Sequence, residues 1–173
     1  MRAALTLLLC LVLAATALAG QAQFTAVVIT VTDGDTITVL TQDKQQSKIR
    51  LYGIDAPKRG HAFGNRAKQT TMDAVHGKNV TVQPIEKDHH QTLAVVFMPG
   101  GRSLSEHLVR AGLASIDTQH CTQEDICDSL RRLEKSAKAQ KRGMWEDRTP
   151  VPQQGLPVLP GGGTPNVPGG APK

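Results

Sequence analysis

Two short stretches of this 173-residue chain hold residue types and spacings that could do chemistry. One is Asp33-Gly34-Asp35-Thr36. The other starts seventeen residues past Asp33 and reads Arg50-Leu51-Tyr52-Gly53-Ile54-Asp55-Ala56-Pro57. If Asp35 opens one strand and Asp55 ends another, the two carboxylates meet on one side of a barrel, with Arg50 near them. Two carboxylates and a carbonyl oxygen make a hard-cation site for Ca2+ or Mg2+. An arginine beside it would clamp a phosphate oxygen in a bidentate fork. The same residues have a plainer use, Asp33-Gly34 as a turn and Asp55 as a loop cap, and spacing alone leaves both open.

The elements that must position these groups follow from the hydrophobic period. Residues 24–32 are β-branched and alternating, with Val27, Ile29 and Val31 on one face, and 36–40 continue that chemistry. Asp33-Gly34 between them is a hairpin signal. A third strand over 47–54 stops at Asp55-Ala56-Pro57, where proline removes a ladder donor. A helix over 63–75 is closed by Gly77. Strands over 79–84 and 92–98 are separated by a polar stretch over 85–91. Ser103 and Glu106 form a capping box for a helix over 103–111 that carries Leu104, Leu108 and Ala111 and ends at Gly112. The last helix, over 123–142, opens near Thr122. It has Ile126, Leu130, Leu133, Ala137 and Met144 as its stripe and stops at Gly143. Five short strands and three helices predict a small closed β-barrel of the OB type with helices packed on it, a fold whose open face binds oligonucleotides or oligosaccharides. Fold alone licenses no function.

The sequence resembles the thermonuclease (staphylococcal nuclease) family, which uses a D-G-D-T turn and an R-L-x-G-I-D-x-P-E strand end. The match continues through Gly64-Asn65-Arg66-Ala67, Thr92-Leu93-Ala94-Val95-Val96-Phe97, Leu108-Val109-Arg110-Ala111-Gly112-Leu113-Ala114 and Arg142-Gly143-Met144-Trp145, in the family's order. The resemblance implies an OB barrel with three helices and Ca2+-dependent hydrolysis of DNA or RNA. It implies that Asp35 and Asp55 bind the metal together with the carbonyl of Ala56, and that Arg50 holds the scissile phosphate.

Three further family positions are substituted. The glutamate that follows the proline and activates water is Lys58 here. The second phosphate-binding arginine is Gln91. The aromatic residues that hold the base fall on His89, Thr118 and His120. Asp35, Asp55, Lys58 and Arg50 sum to no net charge, where the family's four would sum to −2. One charge about 5 Å from another, at an effective dielectric near 20, is worth on the order of 3 kcal/mol, and twice that against a divalent ion. Losing a transition-state donor costs about 100- to 1,000-fold, and losing a general base about 100- to 10,000-fold. The Lys58 ammonium is expected to reach Asp35 and Asp55 and take the electrostatic place of the metal.

Other groups invite weaker readings. His61, His89 and His90 with Asp88 could hold a transition metal, or be solvated loop histidines, since no fixed ligand spacing links them. Arg131, Arg132, Lys135, Lys138, Lys141 and Arg142 could form a phosphate-binding face or the solvated side of an amphipathic helix.

The ends read as separable. Arg2, an apolar run over 5–13 and Ala17-Leu18-Ala19 have the pattern of a secretory signal over 1–19, with an uncleaved N-terminal anchor as the alternative. The run is too short for a stable bilayer span, and Leu9 before Cys10 argues against a lipoprotein cut. Cleavage would remove one of 20 basic residues, Arg2, leaving 19 against 15 acidic and a net +4. That balance favours polyanions without proving them. Cys121 and Cys127 would then be an even pair in an oxidising compartment, expected as a disulfide. From Thr149 onward the chain holds seven of its ten prolines and six of its sixteen glycines with one charge, which predicts a disordered tail over 149–173 beyond a domain over 20–148. The expected protein is a secreted or periplasmic monomer with no membrane anchor after signal cleavage. It would bind DNA or RNA, with Ca2+ held weakly and phosphodiester hydrolysis weak or lost. A non-catalytic nucleic-acid or protein binding module and a transition-metal-dependent hydrolase are the alternatives.

Overall fold

The computed structural model describes residues 22–87 and 90–146. The signal pattern and the Pro/Gly-rich tail lie outside the described residues, as do Asp88 and His89. Among the described residues, seven strands, three α-helices and one 3-10 turn follow in the order β1 (Phe24–Asp33), β2 (Thr36–Thr41), β3 (Gln46–Leu51), β4 (Ile54–Asp55), α1 (Gly64–Val75), β5 (Asn79–Lys87), β6 (Thr92–Phe97), α2 (Leu104–Arg110), β7 (Ser115–Ile116), α3 (Glu124–Ala139) and the 3-10 turn Gly143–Trp145. Five strands close a barrel in the order β1-β2-β3-β6-β5, and β4 pairs with β7 in a separate two-stranded sheet. The expected five-stranded barrel with three helices is the architecture found.

The barrel interior is filled by Val28, Ile37, Val39, Ile49, Leu51, Val80, Val82, Ala94 and Val96, all buried. β1 departs from the expected face. Ala26, Val28 and Val31 point inward, while Val27 and Ile29 are only partly buried. The cause is a bulge between Val28 and Thr30. An extra residue in a two-residue repeat switches every later side chain to the other face.

The strand expected over 47–54 is two elements. Gly53 adopts φ +77, so the chain turns after Tyr52, and Ile54–Asp55 leaves the barrel to pair with Ile116 and Ser115. β5 runs on to Lys87, past a register shift between Pro84 and Glu86. Its pairing with β1 ends at Val82, so Pro84 sits where no β1 partner needs its missing N–H.

Two helix ends also differ. Ser103 Oγ accepts from Glu106 N, but the Glu106 carboxylate accepts from Ser129 Oγ at 2.6 Å. Only half of the capping box forms, because the neighbouring helix offers Glu106 a donor. α3 ends at Ala139, and Met144 falls in the 3-10 turn beyond it.

Candidate functional site

The turn carrying Asp35 is held by α1. Gly34 is buried, and it is not among the glycines with positive φ. Its role is space, since a Cβ there would lie 2.7 Å from the Ala67 Cβ and 3.0 Å from that of Ala56. Thr71 Oγ1 donates to the Gly34 carbonyl at 2.7 Å, and Leu51 N donates to the Asp35 carbonyl at 2.9 Å. The same helix fixes the Lys58 backbone. A Cβ on Gly64 would lie 2.1 Å from the Lys58 carbonyl oxygen, so glycine is required where the first turn of α1 meets the loop. One helix therefore sets both Asp35 and Lys58.

Asp55 is placed by the small sheet. It pairs with Ser115, whose hydroxyl donates to the Asp55 carbonyl at 3.4 Å. Ile116 N donates to Glu134 of α3 at 3.1 Å. Arg50 comes from the outward face of β3, between the buried Ile49 and Leu51.

These elements bring four charges together. Asp35 is fully buried, and each of its oxygens accepts twice. Oδ1 takes Thr36 Oγ1 at 2.8 Å and Lys58 Nζ at 2.9 Å. Oδ2 takes Ala56 N at 3.1 Å and Lys58 Nζ at 2.8 Å. Burial pushes the Asp35 pKa up, but the hydrogen bonds from Lys58, the Ala56 N–H and Thr36 outweigh it, and the carboxyl is held below its usual range. Arg50 Nη2 donates to Asp55 Oδ1 at 3.1 Å, and Lys58 Nζ lies 4.0 Å from that same oxygen. The two aspartates, Arg50 and Lys58 named from the sequence thus converge, and Lys58 reaches both carboxylates.

This donor set does not fit Ca2+. A carboxylate offers about four lone-pair sites, and all four of Asp35 are used by protein donors. The two negative charges are matched by the ammonium and the guanidinium. A hard divalent ion needs six to eight oxygen ligands; here the place between the carboxylates holds a cationic side chain. Ala56 joins the cluster through its N–H.

The remaining sequence-named positions are more scattered. Gln91 immediately precedes Thr92, which pairs with Ile49. That register puts Gln91 beside Lys48, on the same outward face as Arg50 and Leu93. Of the base-holding positions, His89 lies outside the described residues and Thr118 is exposed. His120 Nδ1 bonds Asp117 at 2.9 Å. Among the described residues no group of three or more His, Cys, Asp and Glu could hold a metal ion, and Asp88 and His89 of the histidine-loop reading fall outside them. Several members of the basic run over 131–142 have intramolecular partners. Arg131 pairs with Asp128, Lys138 with Glu134, and Arg142 donates to the Arg110 carbonyl.

Cys121 and Cys127 are joined in a disulfide at the start of α3. Sequence reasoning missed a second tie on this segment, Tyr52. Its buried hydroxyl accepts from Thr122 N at 2.7 Å and Gln123 N at 2.8 Å, just ahead of α3, where orphan N–H groups need acceptors. The only hint in the sequence was that this is the sole tyrosine, inside the motif that ends at Asp55.

A groove of about 960 Å3 lies not at the four charges but beside them, with Lys48, Lys87, Gln45, Gln46 and Gln91 among its walls. Residues 48–147 match the family model described as staphylococcal nuclease homologue. An Escherichia coli protein named as an uncharacterized endonuclease is 36% identical over 126 residues, covering 72% of this chain and 79% of that protein. A micrococcal nuclease of Shigella flexneri is 35% identical over 135 residues, covering 73% and 76%. A Haemophilus influenzae protein named as an uncharacterized endonuclease is 35% identical over 125 residues, covering 72% and 67%. By the family match, the extent of these similarities and the closed barrel, the chain belongs to the staphylococcal nuclease family.

Proposed function

We propose that this is an exported nucleic-acid-binding protein on a nuclease fold, in which phosphodiester hydrolysis is weak or lost. Its relatives are named endonuclease and micrococcal nuclease, which supports nucleic acid as the ligand. The observation that carries the reading is the Lys58 ammonium, 2.8 and 2.9 Å from the two oxygens of Asp35. An ammonium there offers no carboxylate to take a proton from water, and it repels a divalent ion. Gln91 brings an amide where a guanidinium would stabilise charge building on the phosphate. Each loss alone costs about 100-fold or more. Export to the periplasm or medium is supported by the N-terminal charge and apolar pattern and by the cysteine pair.

Calcium calorimetry and a fluorescent-oligonucleotide cleavage assay on the exported chain test this. The wild type should bind Ca2+ poorly and cut negligibly. Lys58→Glu should tighten Ca2+, and adding Gln91→Arg should raise cleavage further, since both act in one transition state and need not add independently. A wild type that cleaves at a rate Lys58→Glu lowers would make Lys58 a working catalytic residue and defeat the reading.

A further inference from the structure

Asp55 Oδ1 sits between two cations, with Arg50 Nη2 at 3.1 Å and Lys58 Nζ at 4.0 Å. The three groups are unequally held. Lys58 is anchored from behind by both oxygens of the buried Asp35, and its backbone is pressed against Gly64. Arg50 is fixed by the barrel register, opposite Thr36 and Leu93. The Asp55 side chain is 57% exposed. Two fixed positive groups are thus aimed at one point, which an exposed carboxylate oxygen now occupies. A phosphate oxygen carries the same charge and accepts the same donors.

The surroundings extend the pattern. Lys48 is exposed on the outward face of β3, two residues before Arg50, about 7 Å along the strand. The groove that begins at Lys48 carries Gln45, Gln46 and Gln91, whose amides match the donor and acceptor edges of bases.

We propose that Arg50 and Lys58 bind a phosphodiester of single-stranded nucleic acid without metal, the phosphate displacing Asp55, with Lys48 meeting the next phosphate. This rests on the nucleic-acid reading above and assigns Asp55 a role opposite to that of a metal ligand. Here it is a built-in competitor that keeps the grip closed until a stronger anion arrives.

The test is anisotropy of a fluorescent single-stranded oligonucleotide with the full exported chain, in EDTA and in Ca2+, with thermal midpoints confirming that each variant is folded. The wild type should bind equally in both. Asp55→Asn should tighten binding in EDTA by about threefold, the scale of an exposed ion pair. Lys58→Met should weaken it about tenfold and Lys58→Arg should retain it. Lys48→Gln should lower the slope of log affinity against log salt by about one. Binding that requires Ca2+, or that weakens in Asp55→Asn, overturns the proposal even if the protein binds nucleic acid and does not cut it. If no oligonucleotide binds, the nucleic-acid reading fails, and inorganic phosphate decides the grip. Phosphate raising the thermal midpoint of Asp55→Asn, but not of Asp55→Asn with Lys58→Met, sustains it; no response in either rejects it.

Discussion

Lys58 and Asp35 form an ion pair in which a half-exposed ammonium covers both oxygens of a carboxylate with no surface of its own. The asymmetry sets what each substitution does. Removing the ammonium leaves a buried charge with two hydrogen bonds, from Thr36 and Ala56 N. Breaking a buried pair from one side costs about 3–5 kcal/mol, and the exposure of Lys58 puts Lys58→Met near the low end, about 3 kcal/mol. The pair should also show in pH. The folded pKa of Asp35 is depressed below its unfolded value near 3.8. Its contribution is therefore fully present above that value and is lost as pH falls through the folded pKa. Urea unfolding of wild type and Asp35→Asn should show a constant gap above about pH 5 that narrows only below about pH 4. A gap that stays constant through about pH 4 and below would mean that Asp35 titrates alike in the folded and unfolded chain, and a gap that widens as pH falls from neutral would mean that its folded pKa is raised.

Gly34 and Ala67 are fitted to each other, and that contact seats the Asp35 turn. Gly34→Ala places a methyl 2.7 Å from the Ala67 Cβ, an overlap expected to cost about 1–3 kcal/mol. Ala67→Gly alone should cost about 1 kcal/mol as a mid-helix glycine. The double variant should be more stable than the sum of the two losses implies, because the second change removes the closest of the overlaps the first creates. Thermal or urea midpoints of the four proteins give the coupling. Strict additivity would show that the Ala67 methyl is not what excludes a side chain at Gly34, and would leave Ala56, 3.0 Å from that Cβ, as the obstruction.

Much of this was legible in the chain because the barrel strands alternate and the helices carry stripes and stops. Ile37, Val39, Ile49 and Leu51 were inward as their period requires. The meeting of Asp35, Arg50, Asp55 and Lys58 followed from the motif order. The face of β1 was not legible, since a single bulge near Ile29 inverts a two-residue repeat and leaves no mark in composition. β4 and β7 are two residues each, below the length at which any period exists, yet they hold Asp55. Nor could sequence reveal that Glu106 would choose Ser129 over its own helix end, or that Gly64 yields its side-chain space to the Lys58 carbonyl. These depend on which surfaces packing brings together.

Tyr52 gives the last prediction. Its ring is buried in the core, its carbonyl accepts from Ser105 Oγ at 3.1 Å, and its hydroxyl caps the segment that leads into α3. The loop from Asp117 to Gln123 is therefore tied at three points: Asp117 N on the Gly53 carbonyl, the disulfide, and this hydroxyl. Tyr52→Phe keeps the packing and removes one acceptor that serves two N–H groups. Thr122 and Gln123 are exposed, so water can replace part of what is lost, and the cost should be modest, about 1–2 kcal/mol. It should also be local. Amide exchange should quicken at Thr122 and Gln123 while the barrel amides of Ile37 and Ile49 keep their protection. With the disulfide reduced, Tyr52→Phe should cost more than in the oxidised protein, because the two ties then no longer back each other up. Equal costs in both redox states would mean that the hydroxyl and the bridge hold the loop independently.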